Sequence, residues 1–312
     1  MNKKILVVGE LNADVIVNGL PSLPMLGQEI LADGLHVVMG GSSAICAAGL
    51  ARLGAKVDFL GKVGLDYYGD FAAGQLQQLN VGLEHLIRKE NAHTGVTISL
   101  TYPRDRAMIT YMGCIPHLRL ADIETSILPG YTHLHVGSYF LQQELQAGLP
   151  ELFRQARQAG LTISLDTGHD PDEEWGRSAL QELLADVDIF LPNADEACAI
   201  AGVGDAETAL QKLSNQTKLV VVKCGSSGAM SLDNGQILHG PSFQVKMVDT
   251  TGAGDSFDAG FIYAYAICDM PLRKALYFAN ACGALSTTGF GGTAAQPGRE
   301  QVEYLLENKT IQ

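Results

Sequence analysis

In the run Val248-Asp249-Thr250-Thr251-Gly252-Ala253-Gly254-Asp255-Ser256-Phe257, three small residues leave the backbone nearly bare, and a helical pattern starts at the acid that follows. Unpaired N–H groups and the positive end of the dipole make a helix start an anion site. A carboxylate beside such a site is out of place for simple anion binding. It has a purpose if Asp255 takes a proton from a hydroxyl that attacks a phosphoryl group held by Gly252, Ala253 and Gly254. Taken alone, Asp255 reads equally as an acid favouring a helix dipole. The dipole is expected to lower its pKa.

Outward from this run, apolar strand-like segments alternate with helical patterns. Ile5–Val8, Val57–Leu60, His133–Val136, Thr162–Leu165, Asp188–Leu191 and Leu219–Lys223 read as buried strands. Ser42–Leu53, Tyr67–Leu79, Glu144–Gln158 and Thr208–Leu213 read as helices between them. The alternation predicts an α/β fold, a parallel sheet with helices on both faces. Two segments break it. Ala13–Asn18 and Gly34–Met39 have no helix between them, and Thr94–Tyr102 and Ala107–Met112 alternate around the polar turn Pro103-Arg104-Asp105-Arg106 as a hairpin. These four strands predict a small second sheet, drawn from about residues 13–39 and 94–112 and serving as a lid over a ligand crevice. With no linker or repeat in view, residues 1–312 are expected to form one unit.

The 312 residues are 46% hydrophobic and 18% charged, with a formal net charge of -13. That balance argues against nucleic acid or an anionic membrane as the main partner. The six cysteines are not paired at metal-ligand spacing and read as reduced core thiols. Neither a signal peptide nor a run of roughly 20 apolar residues is present, so a soluble, cytoplasmic protein is expected.

Three further elements offer chemistry. Gly40-Gly41-Ser42-Ser43-Ala44 precedes a helix with a small-residue face; the glycines allow close approach to a ligand, and Ser42 or Ser43 would cap. Leu191-Pro192-Asn193-Ala194-Asp195-Glu196 lies at a strand end, where ligands bind in open α/β sheets. Asn193 and Glu196 supply oxygens suited to Mg²⁺, or, equally, a helix cap. Val220-Val221-Val222-Lys223-Cys224-Gly225-Ser226-Ser227-Gly228 runs from a buried strand into a turn that would either cradle phosphates or form a plain hairpin. His133 and His135, alternating on a strand, are read as facing opposite sides.

Together these residues resemble the phosphofructokinase-B, or ribokinase-like, carbohydrate kinase family. Gly40–Gly54 with Gly61–Gly69 resembles its first signature, Asp249–Phe257 its second, and Asn193-x-x-Glu196 falls between them in order. The resemblance implies a Rossmann-like three-layer αβα domain with a small β-sheet lid, transferring the γ-phosphoryl of ATP, with Mg²⁺, to a sugar or nucleoside hydroxyl. It implies Asp255 as base and Gly252, Ala253 and Gly254 as anion hole. Asn12, Asp14, Gly40, Gly41 and Ser42 would line the sugar site. Asn193 and Glu196 would organise Mg²⁺, directly or through water. Lys223, Gly225, Gly228 and Asn280 would lie by the nucleotide, and Asp249 and Thr251 match positions that hold a monovalent cation such as K⁺ in some relatives.

Ser42 and Ile45 stand where ribokinase itself usually has Lys and Asn, and Gly137-Ser138-Tyr139-Phe140-Leu141 is uncharged where ribokinase has an acid. A site without those donors should select a hydroxyl pattern other than that of ribose. A nucleoside acceptor or a non-catalytic binding protein are the competing readings. Arg104 and Arg106 could reach an anionic substrate group or be solvated turn charges, and a homodimer through the lid would cover its apolar face.

Overall fold

The computed structural model describes residues 3–102 and 106–308. The turn residues 103–105, Arg104 among them, and the side chain of Arg106 lie outside the described residues. In chain order the strands are β1 (Lys4–Val8), β2 (Asn12–Asn18), β3 (Gly34–Gly40), β4 (Lys56–Gly64), β5 (Gly82–Lys89), β6 (Val96–Thr101), β7 (Arg106–Tyr111), β8 (His133–Val136), β9 (Thr162–Leu165), β10 (Ile189–Phe190), β11 (Leu219–Lys223), β12 (Ala229–Asp233) and β13 (Gln236–Gly240). The helices are α1 (Ser42–Arg52), α2 (Tyr67–Gln78), α3 (Gln143–Gln146), α4 (Leu149–Gln158), α5 (Arg177–Leu184), α6 (Ala194–Ala201), α7 (Ala206–Leu213), α8 (Ala253–Phe261), α9 (Leu272–Ser286) and α10 (Arg299–Asn308).

A nine-stranded sheet runs in the order β13-β12-β11-β10-β9-β8-β1-β4-β5. Its strands are parallel from β5 to β11; β12 and β13 add an antiparallel edge. The parallel strands read as continuous apolar runs because both faces are covered. On one face, Ile5, Val7, Phe59 and Val221 pack with α1, α8 and α9; on the other, Leu6, Val8, Leu134, Ile163 and Val222 pack with α4, α6 and α7. The three-layer αβα architecture follows. β1 pairs with β4 on one side and β8 on the other. The chain therefore winds away from β1 in both directions, and a crevice opens at the carboxyl ends of β1 and β8.

The second sheet has the order β3-β2-β6-β7 and stands apart from the first. Its strands are those expected. β2 pairs parallel with β6 and antiparallel with β3, and β6 pairs antiparallel with β7. Beside the crevice, His36 of β3 stacks on Phe290 with ring centroids 5.7 Å apart.

Several elements differ from the sequence expectation. The helix expected over Glu144–Gln158 is two, α3 and α4, separated at Ala147 and Gly148, with Pro150 in the first turn of α4, where its missing N–H costs nothing. The strand expected over Asp188–Leu191 keeps only Ile189 and Phe190, although the Asp188 N–H still donates to the Ile163 carbonyl at 2.9 Å and the Leu191 N–H to that of Leu165 at 3.0 Å. Gly41 is the N-cap of α1, since Ser42 and Ser43 already lie inside the helix and neither caps it. His133 and His135 share one face, as residues two apart on a strand must. Both bond the Ser164 hydroxyl at 2.8 Å, and burial pushes them down to about 3 and about 4, so both are neutral. All six cysteines are free, and among the described residues no helix is long and apolar enough to cross a membrane.

Candidate active site

The two glycine turns, some two hundred residues apart, meet at the crevice. α1 and α8 cross through small residues: a Cβ on Gly49 would lie 2.8 Å from the Cβ of Ala259. Gln296 braces both helices, its Nε2 donating to the carbonyl of Ile45 at 2.8 Å and to Ser256 Oγ at 3.0 Å. Gly252 is the N-cap of α8 at φ 74°, a conformation that glycine adopts without strain. A Cβ there would stand 2.6 Å from Gly292 Cα and 3.1 Å from Ile45 Cγ2, so bareness at this turn is also a packing demand. The first turn of α8 thus presents the N–H of Gly254 with Asp255 just beyond, while the Ala253 N–H donates to the Thr250 carbonyl at 3.2 Å.

Asp255 carries a side-chain hydrogen bond with Ser42, the first residue of α1. Burial, joined by the carboxylates of Asp166 and Glu10, pushes Asp255 up to about 7 against the opposing pull of Lys223 and Ser42. This reverses the expected direction. The helix dipole is a fraction of a charge, whereas desolvation and two nearby acids act on the full one. A carboxyl poised near neutrality is a stronger base than an ordinary one.

The acceptor side forms where β1 gives way to β2. Asn12 is buried and donates to Asp14 Oδ1 at 2.8 Å. Gly40 and Gly41 close against them: a Cβ on Gly40 would fall 2.2 Å from Asp14 Oδ1, and one on Gly41 2.9 Å from Asn12 Oδ1. Glu10, unremarked in the sequence, anchors the turn. Its carboxylate accepts from Ser43 N at 3.2 Å, Ser43 Oγ at 2.7 Å and Ser138 Oγ at 2.8 Å. Burial raises its pKa, and those hydrogen bonds offset part of the rise. An acid directly after a strand that ends in Gly9 was the available signal.

On the other side, Asn193 and Glu196 form a capping box at the start of α6: Glu196 N donates to Asn193 Oδ1 at 2.9 Å and Asn193 N to Glu196 Oε2 at 2.8 Å. The cap reading is therefore realised. Burial, then the charge of Asp166, pushes Glu196 up to about 7. Each of its oxygens takes one bond from Asn193, with Nδ2 on Oε1 at 2.7 Å; a carboxylate oxygen has a second lone pair. Gly225 and Gly228 flank a 3₁₀ turn joining β11 to antiparallel β12, so the hairpin reading is realised too. Asn280 is buried on α9, its Nδ2 without a hydrogen-bond partner, beside Gly240. Asp249 accepts from Thr251 N at 2.9 Å, Thr251 Oγ1 at 2.8 Å and Gly291 N at 2.8 Å, tying the approach to α8 to the loop after α9. Lys223 is not turned to open space: it lies between Asp166 and Asp258.

A helix start bare of side chains and a buried carboxyl held near neutrality thus meet at the switch point of the doubly wound sheet. The chain matches the pfkB family carbohydrate kinase profile over residues 2–299, so it belongs to that family and is a phosphotransferase with an alcohol group as acceptor. It is 31% identical over 309 residues to the ATP-dependent ribose-1-phosphate kinase of Halopiger xanaduensis, covering 98% of this chain and 99% of that protein. It is 29% identical over 321 residues to the fructokinase of Klebsiella pneumoniae, covering 98% and 100%. Among solved structures, a putative ribokinase II from E. coli in complex with ATP and Mg²⁺ superposes with a TM-score of 0.87 at 24% identity, covering 99% of this chain and 100% of that one.

Proposed function

We propose that the protein is an ATP-dependent sugar kinase in which Asp255 is the general base. The observation that carries this reading is the meeting of the two helix starts: Asp255 and the Gly252–Gly254 turn on α8, bonded through Ser42 to the turn that closes the Asn12/Asp14 pocket. A hydroxyl held by Asn12 and Asp14 would lie within reach of Asp255, which accepts its proton as attack proceeds; such catalysis is worth roughly 10²–10⁴-fold. The N–H of Gly254 would meet the charge on the transferring group, joined by that of Ala253 once it leaves the Thr250 carbonyl. The smaller sheet would exclude water, a competing acceptor.

For the nucleotide, the orphan Nδ2 of Asn280 fits an acceptor atom of a base, with Gly225 and Gly228 beside the phosphates. Bound Mg²⁺ would neutralise phosphate charge and align it for in-line transfer. Asn193 and Glu196 fit the ion through water, since their direct bonds are to each other. Asp249 and Thr251 are the proposed support of a K⁺-type cation, checked by comparing turnover in potassium and choline salts.

Tyr139 and Phe140 are buried in a ring cluster in which Phe140 and Trp175 centroids are 5.6 Å apart, away from any acceptor base. That favours a sugar. An ADP-release screen over sugars, sugar acids and nucleosides identifies the acceptor, and Asp255→Asn should abolish transfer while leaving ATP binding largely intact. Near-normal turnover in that variant would refute the assignment. We further propose that the exposed apolar residues on one face of the smaller sheet, Leu35, Ile109 and Tyr111, pair two copies of the chain.

A further inference from the structure

Lys223 ends β11 with its side chain only 12% exposed. Its Nζ donates to Asp166 Oδ2 at 2.5 Å, and to Asp258 Oδ1 and Oδ2 at 3.1 and 2.9 Å. Those partners come from two other elements: Asp166 directly follows β9, and Asp258 lies on α8 one turn beyond Asp255. Gly254 backs onto the same nitrogen, since a Cβ there would stand 3.7 Å from Nζ. The two acids lie beside each other across the ammonium. Burial, with Asp166 beside it, pushes Asp258 well above the usual carboxylate range despite Lys223. Burial also opposes the charge on Asp166 and on Lys223, but their mutual attraction prevails, holding the carboxyl below and the ammonium well above their ordinary ranges. The unit is an ammonium held between two buried acids.

We propose that Lys223 is a positioning residue for phosphoryl transfer: by joining Asp166 to Asp258 it pins the first turn of α8, and with it Asp255 and the Gly252–Gly254 turn, against the carboxyl ends of β9 and β11. The proposal rests on the kinase reading above and deepens it. Buried ion clusters add little net stability, because desolvation consumes most of the attraction; what they fix is geometry. Reacting groups displaced by about 1 Å lose on the order of 10²-fold in rate. A lysine spent on two carboxylates has little left for a nucleotide, so its loss should be felt in turnover and not in affinity.

The test uses the full chain, labelled ATP with Mg²⁺, a pooled acceptor set of ribose, fructose, gluconate and uridine, and a non-hydrolysable ATP analogue for affinity. Lys223→Met keeps length and volume without the charge. It should lower turnover about 10²-fold while analogue affinity stays within about threefold. Asp258→Asn, which keeps one oxygen to accept from Lys223, should stay within about threefold of wild type in turnover; Asp258→Leu should fall as Lys223→Met does, and serves in its place if that variant does not fold. Wild-type turnover in Lys223→Met overturns the proposal. So does a loss of analogue affinity that accounts for the lost turnover, or equal damage from Asp258→Asn and Asp258→Leu. No transfer by the wild type to any acceptor refutes the kinase reading itself, a distinct result.

Discussion

Asp255 sits at the start of α8 with a carboxyl that burial and its acidic neighbours hold near 7, and two consequences follow at the scale of the residue. The base must be ionised, so kcat/KM should fall as pH drops through about 7, with unit slope, where an ordinary aspartate would hold activity to about 4. A profile flat from pH 8 to pH 5 would contradict this. The second consequence is for stability. The folded chain holds a proton at Asp255 that the unfolded chain releases near 4, so the stabilisation is complete below that pH and lost as pH rises through about 7. Asp255→Asn should therefore gain in melting temperature relative to wild type between pH 5 and pH 8, the same change that removes turnover. At this scale the sequence was legible where chemistry announces itself locally, as at Asp255 behind its glycine turn. It was silent where charges converge from afar. Asp166, Lys223 and Asp258 are separated by 57 and 35 residues along the chain. The signals were an acid inside the otherwise apolar run Phe257-Asp258-Ala259-Gly260-Phe261 and a lysine closing Val220-Val221-Val222.

At the scale of the element, α1 and α8 form the joint on which the site depends. Their contact has no room: a Cβ on Gly49 would meet the Ala259 Cβ at 2.8 Å and Gln296 Nε2 at 2.9 Å. Gly49→Leu should destabilise by about 1–3 kcal/mol through overpacking, read as a lowered denaturant midpoint. Gly252→Ala acts differently. Left-handed backbone costs a residue with a Cβ about 1–2 kcal/mol, and the new methyl would press on Gly292. The turn must shift, so turnover should fall far more than the melting temperature; equal, small effects on both would show that the turn tolerates displacement. Strands buried on both faces were plain in the sequence, because nothing but an apolar run satisfies such a site. Ends were less so. β10 keeps two residues between Asp188 and Leu191, and α3 parts from α4 at Gly148, where a Cβ would lie 2.6 Å from that of Leu120. Such limits belong to contacts between elements, which a local pattern does not carry.

At the scale of the whole molecule, one face of the smaller sheet leaves Ile109 61% and Tyr111 56% exposed, an apolar surface that isolated domains seldom keep open. Sedimentation should find a dimer at micromolar concentration, and Ile109→Lys should shift it to monomer; a wild-type monomer at every concentration would dismiss the pairing. The large sheet carries a different consequence, in the order of its making. β1 is synthesised before β4, and β4 before β8, yet β1 lies between the two. A growing chain can pair β1 with β4 soon after Gly64 is added, but the other edge of β1 stays bare until His133 to Val136 emerge. Over that interval a fully apolar strand offers its hydrogen-bonding edge to any neighbour on a crowded polysome. The winding that opens a crevice in the finished enzyme is thus also an exposure its nascent chain must survive.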